Sequence, residues 1–79
     1  MNNTILQAEI IDILENILEL DRTQITLETC IQNISQWDSL HQVIIISSLE
    51  EKYNIIFPDD VLFELTSVEA IVREVSKLI

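Results

Sequence analysis

Apolar residues near the start of the chain fall on one helical stripe. Leu6, Ile10, Ile13, Leu14 and Ile17 recur at three- and four-residue intervals, with Glu9, Asp12, Glu15, Asn16 and Glu19 on the other side. The pattern predicts a helix ending near 18–20, and Thr4-Ile5-Leu6-Gln7 has capping-box spacing at its start. Residues 21–37 hold no single period. Asp21, Thr23, Thr26, Thr29, Asn33 and Ser35 are turn and cap formers, while Ile25, Leu27, Ile31 and Ile34 can pin the segment to a core. This predicts a long ordered loop with room for one short helical turn. A loop above ~15 residues in so small a domain usually has a function or wraps the core.

A second helix is predicted from Asp38 or Ser39 to about Tyr53, with Gln42, Ile45, Ile46, Leu49 and Tyr53 as its core stripe. The β-branched run Val43-Ile44-Ile45-Ile46 would also suit a strand. It continues into Ser47-Ser48-Leu49-Glu50-Glu51-Lys52 without a turn signal, so the helix is preferred. Asn54 can take the left-handed position that glycine fills at many helix ends. Pro58-Asp59-Asp60 opens a short segment over 61–65, since proline suits a first helical turn and acids favour its positive end. Thr66-Ser67-Val68-Glu69 repeats the capping-box spacing, and Val68, Ile71, Val72 and Val75 form the last stripe. The expected fold is all-α: a small bundle of three longer helices plus one short helix, as one domain over 1–79.

Composition narrows the class. Seventy-nine residues that are 48% hydrophobic but only 5% aromatic build an aliphatic core. A chain of this size buries only about 60% of its unfolded surface. Gly is absent and Pro occurs once, which excludes collagen-like and low-complexity chains and argues against a turn-rich β-sandwich. Fourteen acidic against four basic residues give a formal net charge of −10. A nucleic-acid partner needs a basic footprint, so that class is excluded; an anionic membrane surface is disfavoured for the same reason. No apolar run reaches the ~20 residues of a membrane span. Met1-Asn2-Asn3-Thr4-Ile5 lacks the basic start and apolar run of a signal peptide. The lone Cys30 cannot form an internal disulfide or a thiolate metal cluster and fits a reducing compartment. A cytoplasmic location is expected. Cys30, Phe57 and Phe63 read as packing residues.

The chemistry concentrates at Trp37-Asp38-Ser39-Leu40. Taken alone, Asp38 or Ser39 is an ordinary helix cap. The flanks add Glu50-Glu51-Lys52-Tyr53, then Ile56-Phe57-Pro58-Asp59-Asp60, then Thr66-Ser67-Val68, in that order and without insertion. With these the chain resembles the acyl and peptidyl carrier proteins, which hold a thioester on a phosphopantetheine arm. The resemblance is firm from Trp37 onward and looser over the first helix and loop. It implies that Ser39 takes a covalent 4'-phosphopantetheine from coenzyme A through a phosphopantetheinyl transferase, with Asp38 and Leu40 completing the motif. It also implies that the protein is not an enzyme. Physics agrees with the placement, because a phosphodiester on Ser39 would face free N–H groups at the positive end of a helix dipole.

Other readings of the same residues are weaker. Asp38, Ser39 and His41 are the residue types of a hydrolase triad, but a two-residue helical offset turns Ser39 and His41 about 200° apart. The glycines of a nucleophile elbow are missing. One His among scattered acids predicts no metal site.

The second helix carries more apolar surface than its core stripe needs. Leu40 and Ile44 lie opposite that stripe and Val43 sits at its boundary. Scattered exposed aliphatics are one reading. By resemblance the preferred one is a docking patch of Leu40, His41, Val43, Ile44, Glu50 and Glu51. The partners implied are an acyl-activating ligase, a ketosynthase or an acyltransferase, with the carrier as a monomer. Fatty-acid synthase carriers commonly place acids where this chain has His41 and Ile44, and Leu-Gly ahead of the motif where it has Ser35-Gln36-Trp37. These departures suggest a freestanding carrier for a specialised lipid, polyketide or secondary-metabolite pathway. An aminoacyl or peptidyl carrier, or a non-carrying helical interaction module, are the alternatives. Trp37 either packs the loop end, as preferred, or touches a partner. The aliphatic core either opens to sheath an acyl chain or is an ordinary core.

Overall fold

In the computed structural model, which describes residues 3–79, the predicted periods become α1 (Asn3–Leu18), α2 (Ser39–Tyr53), α3 (Asp59–Leu62) and α4 (Val68–Leu78). A single 3-10 turn, Arg22–Gln24, interrupts the long loop. No strand occurs among the described residues, and the fold is the all-helical one expected. Met1 and Asn2, part of the stretch read above for a leader, lie outside the described residues.

α1 packs against both α2 and α4, so its apolar stripe is wider than a single contact requires. Leu6, Ile10 and Leu14 are buried as expected, but Ile11 and Leu18 join them while Ile13 and Ile17 are only half-buried. α2 buries Ile45 and Leu49, and α4 buries all four stripe residues, Val68, Ile71, Val72 and Val75. Tyr53 is half-buried and its hydroxyl donates to Glu9 Oε1 at 2.8 Å, tying the end of α2 to α1. Burial, and then the neighbouring Glu9 carboxylate, push the Tyr53 phenol well above its ordinary pKa.

Both long N-terminal helices end in the same way. Glu19 (φ 56°) and Asn54 (φ 55°) are left-handed, and the next residues, Leu20 and Ile55, donate back to Glu15 O (3.2 Å) and Glu50 O (3.1 Å). Leu20 and Ile55 are themselves buried. These are Schellman closures with an apolar residue tucked under the helix end.

Four sequence expectations need correction. Thr4 lies inside α1, which already includes Asn3, so it does not precede the helix as a cap. The cap of α4 is Ser67, whose side chain accepts from Ala70 N–H at 3.1 Å; the Thr66 carbonyl instead receives Ile31 N–H at 2.8 Å. The short helix is α3, earlier than the expected 61–65, with Pro58 as its N-cap. Phe63 does not pack: it closes α3 and is 86% exposed. Phe57 is buried, and Cys30 is half-buried in an isolated bridge to Ser67.

The loop is ordered by backbone bonds to the start of α4. Ile31 donates to Thr66 O, Val68 to Thr29 O (3.0 Å) and Glu69 to Leu27 O (3.2 Å). Buried Thr29 is satisfied locally, its Oγ1 accepting from Thr26 N–H at 2.9 Å. Ile31 and Ile34 pack against the core and Ile25 is buried, whereas Leu27 remains exposed. These anchors fix where the chain emerges at Asp38 and Ser39.

Candidate functional site

The site is built on the first turn of α2. Asp38 is the N-cap, with extended backbone (φ −104°, ψ −173°), and its Oδ1 accepts from His41 N–H at 2.9 Å. The His41 ring nitrogen Nδ1 lies 2.7 Å from the same oxygen. The bond from His41 N–H, followed by that from its ring, holds the Asp38 carboxyl below the usual carboxylate range. Asp38 and His41 thus meet as capping partners at the helix start. Ser39 is the first helical residue and is exposed.

The capping geometry sets a pH dependence. A carboxyl whose folded pKa is depressed contributes stability above its unfolded value, about 3.9 for Asp, and that stability disappears as pH falls through the folded value. Glu74, buried and held below its ordinary range chiefly by the hydrogen bond from Arg73, adds in the same direction. Melting temperature should therefore fall as pH drops from 5 through the acid range below 4. Asp38→Asn, which keeps a capping side chain, should make that fall shallower. Equal acid slopes for the two proteins would show that the Asp38 contact does not distinguish folded from unfolded chain.

Behind the first turn stands a polar contact across three elements. Trp37 is 2% exposed and its indole Nε1–H donates to Gln42 Oε1. Gln42 Nε2 in turn donates to the Leu65 carbonyl at 2.6 Å. Trp37 therefore packs the end of the loop. Gln42, expected in the core stripe, is a half-buried bridge from α2 to the α3–α4 link. A lone Gln in an apolar stripe, five residues after the only Trp, was the signal for it.

The outer face of α2 is apolar. Leu40 is 67%, Val43 61% and Ile44 41% exposed, so Val43 belongs to this face and not to the boundary. His41 is half-buried against Asp38. The two acids farther along differ: Glu51 is exposed, whereas half-buried Glu50 accepts from Phe57 N–H at 2.9 Å and secures the α2–α3 loop. Ile56 and Phe63 are further exposed apolar residues beyond α2, which sequence periodicity did not pick out. No group of three metal-ligating side chains occurs among the described residues, and no helix among them is long and apolar enough to cross a membrane.

The first turn of α2 thus presents an exposed hydroxyl, Ser39, beside a capping carboxylate, Asp38. Residues 8–75 match a family model described as a phosphopantetheine attachment site, and the chain belongs to that family. It is a phosphopantetheine carrier protein. Domains of this family hold a covalently attached 4'-phosphopantetheine and are in general carriers, not catalysts.

Proposed function

We propose that Ser39 is the attachment point and that this domain, monomeric and cytoplasmic, presents acyl cargo to partner enzymes of a specialised pathway. The observation that carries this reading is the exposure of Ser39 at the first position of a helix whose cap belongs to its neighbour Asp38. The hydroxyl is therefore not needed for the fold. The residues fit the group. Of the N–H groups at this helix start, Asp38 is bonded to Gln36 O and His41 to Asp38 Oδ1, which leaves those of Ser39 and Leu40 at the positive dipole end to face a phosphodiester. Leu40 follows Ser39 and is exposed.

In loading, Ser39 Oγ forms a bond to the phosphorus next to pantetheine as the pyrophosphate P–O bond of coenzyme A breaks; adenosine 3',5'-bisphosphate leaves with the electron pair, and the serine proton goes to a base of the transferase. When bound, the arm supplies a thiol that holds cargo as a thioester. Asp38 holds the helix start in place throughout, and the chain performs no catalysis. Intact mass after incubation with coenzyme A and a broad-specificity phosphopantetheinyl transferase tests the reading: a gain of one phosphopantetheine supports it. No gain with several transferases would favour a non-carrying interaction module.

Leu40, Val43 and Ile44, with His41 and Glu51 at the rim, form the surface read by an activating ligase, ketosynthase or acyltransferase. Glu50 supports it from behind through its bond to Phe57. Ile44→Ala is expected to weaken the native partnership by about 1 kcal/mol or more, as loss of a central apolar anchor does. His41→Asp with Ile44→Glu should improve use by fatty-acid synthase enzymes and impair the native pairing. Steady-state assays of the holo variants against both enzyme sets check this. Wild type serving the fatty-acid enzymes as well as their own carrier does, with neither change mattering, would return an ordinary fatty-acid role.

A further inference from the structure

Along α2 the environment changes steadily from the attachment serine inward. Ser39 is exposed, Gln42 is half-buried, and Ile45 and Leu49 are fully buried. Residues three apart on a helix share a face, so Gln42 lies directly beneath Ser39 on the way to the core. Its amide is engaged at both ends, accepting from the Trp37 indole and donating to the Leu65 carbonyl. Those partners come from the loop before α2 and from the link between α3 and α4, so the bridge joins α2 to both. Both partner residues are buried, Leu65 completely.

We infer that Gln42 is a clasp closing the core beneath the attachment serine, so that cargo on the arm rides outside the helices. This rests on the Ser39 reading and deepens it by naming the cargo class. An apolar chain tethered at Ser39 would gain by leaving water, and the nearest aliphatic interior is this protein's own. Entry between α2 and the α3–α4 link, on the Ser39 side, would displace Gln42. The Trp37 N–H and the Leu65 carbonyl would then be left in a buried site with an alkyl chain that can bond neither. A short or polar unit, such as a small acyl or aminoacyl group, gains nothing from the core and keeps its own polar groups in water. The clasp therefore suits short or polar cargo and works against a long alkyl chain. Gln42 is a positioning residue, since it touches neither arm nor cargo.

Two measurements test it. In the apo protein, exchange of the Trp37 indole N–H followed by nuclear magnetic resonance should be slow in wild type and at least tenfold faster in Gln42→Met, which keeps the side chain's length and loses both bonds. Fast exchange in wild type overturns the clasp without reference to loading. Next, the transferase loads acetyl-, octanoyl- and dodecanoyl-phosphopantetheine from the corresponding coenzyme A thioesters, with attachment read by mass. Wild type should show the same melting temperature and Trp37 emission at every chain length. Gln42→Met should show a rise with length and a shifted emission. A rise of about 5 °C or more from acetyl to dodecanoyl in wild type, as expected when a folded state binds an apolar ligand, overturns the inference. If Gln42→Met does not fold, the wild-type series decides alone. A wild-type protein that gains no mass overturns the Ser39 reading instead, and the cargo assignment with it.

Discussion

Ser39→Ala will fold like wild type and take up no mass from coenzyme A under conditions that load wild type completely. Two features of α2 make the separation sharp. The cap is Asp38, whose Oδ1 holds His41 N–H, so the substitution leaves the helix start intact. Alanine is also a good helix former and introduces no side chain that must be placed. The expected change in stability is within about 0.5 kcal/mol, as for exposed sites away from special features. The chemical loss is total, because the oxygen that would bond to phosphorus is gone. Intact mass and a thermal melt on one sample read both outcomes. A variant that still gains the arm would relocate the site. A variant that melts far below wild type would mean that Ser39 supports the fold as well.

The second large effect is structural. Leu49 is 0% exposed on the inner face of α2. Leu49→Ala should cost about 2–5 kcal/mol through lost burial and the cavity left behind. Small domains lie toward the low end of the 5–15 kcal/mol that native proteins possess, so this is a large share of the total. At about 4–8 °C per kcal/mol for a chain of this size, the melting temperature should drop by about 10 °C or more. Leu40→Ala, on the exposed face of the same helix, should move it little. Circular dichroism melts of the pair check the contrast, and similar melts for both would mean that the two faces of α2 have been misassigned.

Much of this arrangement was legible in the sequence, and the gaps have physical causes. The stripe of α4 and the Asp38 start of α2 could be read because each depends on local spacing. Asn54 could be read as a left-handed end for the same reason, since its short polar side chain tolerates that conformation. Glu19 at the end of α1 could not, because nothing local marks a glutamate for positive φ. Thr66 and Ser67 are adjacent hydroxyl residues, and the choice between them as cap involves the loop bond from Ile31 N–H, far earlier in the chain. Phe63 was misread because a helix of four residues contains too little of a period to say which way the next side chain turns. Near the motif, the position of Ser39 at an exposed helix start and the exposed apolar face of Leu40 and Ile44 followed from spacing. The bridge through Gln42 did not, because one of its partners, Leu65, lies 23 residues away.

The left-handed ends at Glu19 and Asn54 have a consequence for the unfolded chain. Glycine would adopt that conformation freely, yet the sequence contains none. A residue with a Cβ pays roughly 1–2 kcal/mol to sit there, although Asn pays less than Glu because its side chain bonds locally. The same substitution of side chain for hydrogen restricts the denatured ensemble and reduces the backbone entropy that folding must overcome. At these two positions that gain, about 0.4–1 kcal/mol, is smaller than the strain, so each left-handed end is a local net cost. The bonds from Leu20 and Ile55 to Glu15 O and Glu50 O, with the burial of both side chains, offset it, so the glycine-free ends hold only while those two residues stay docked.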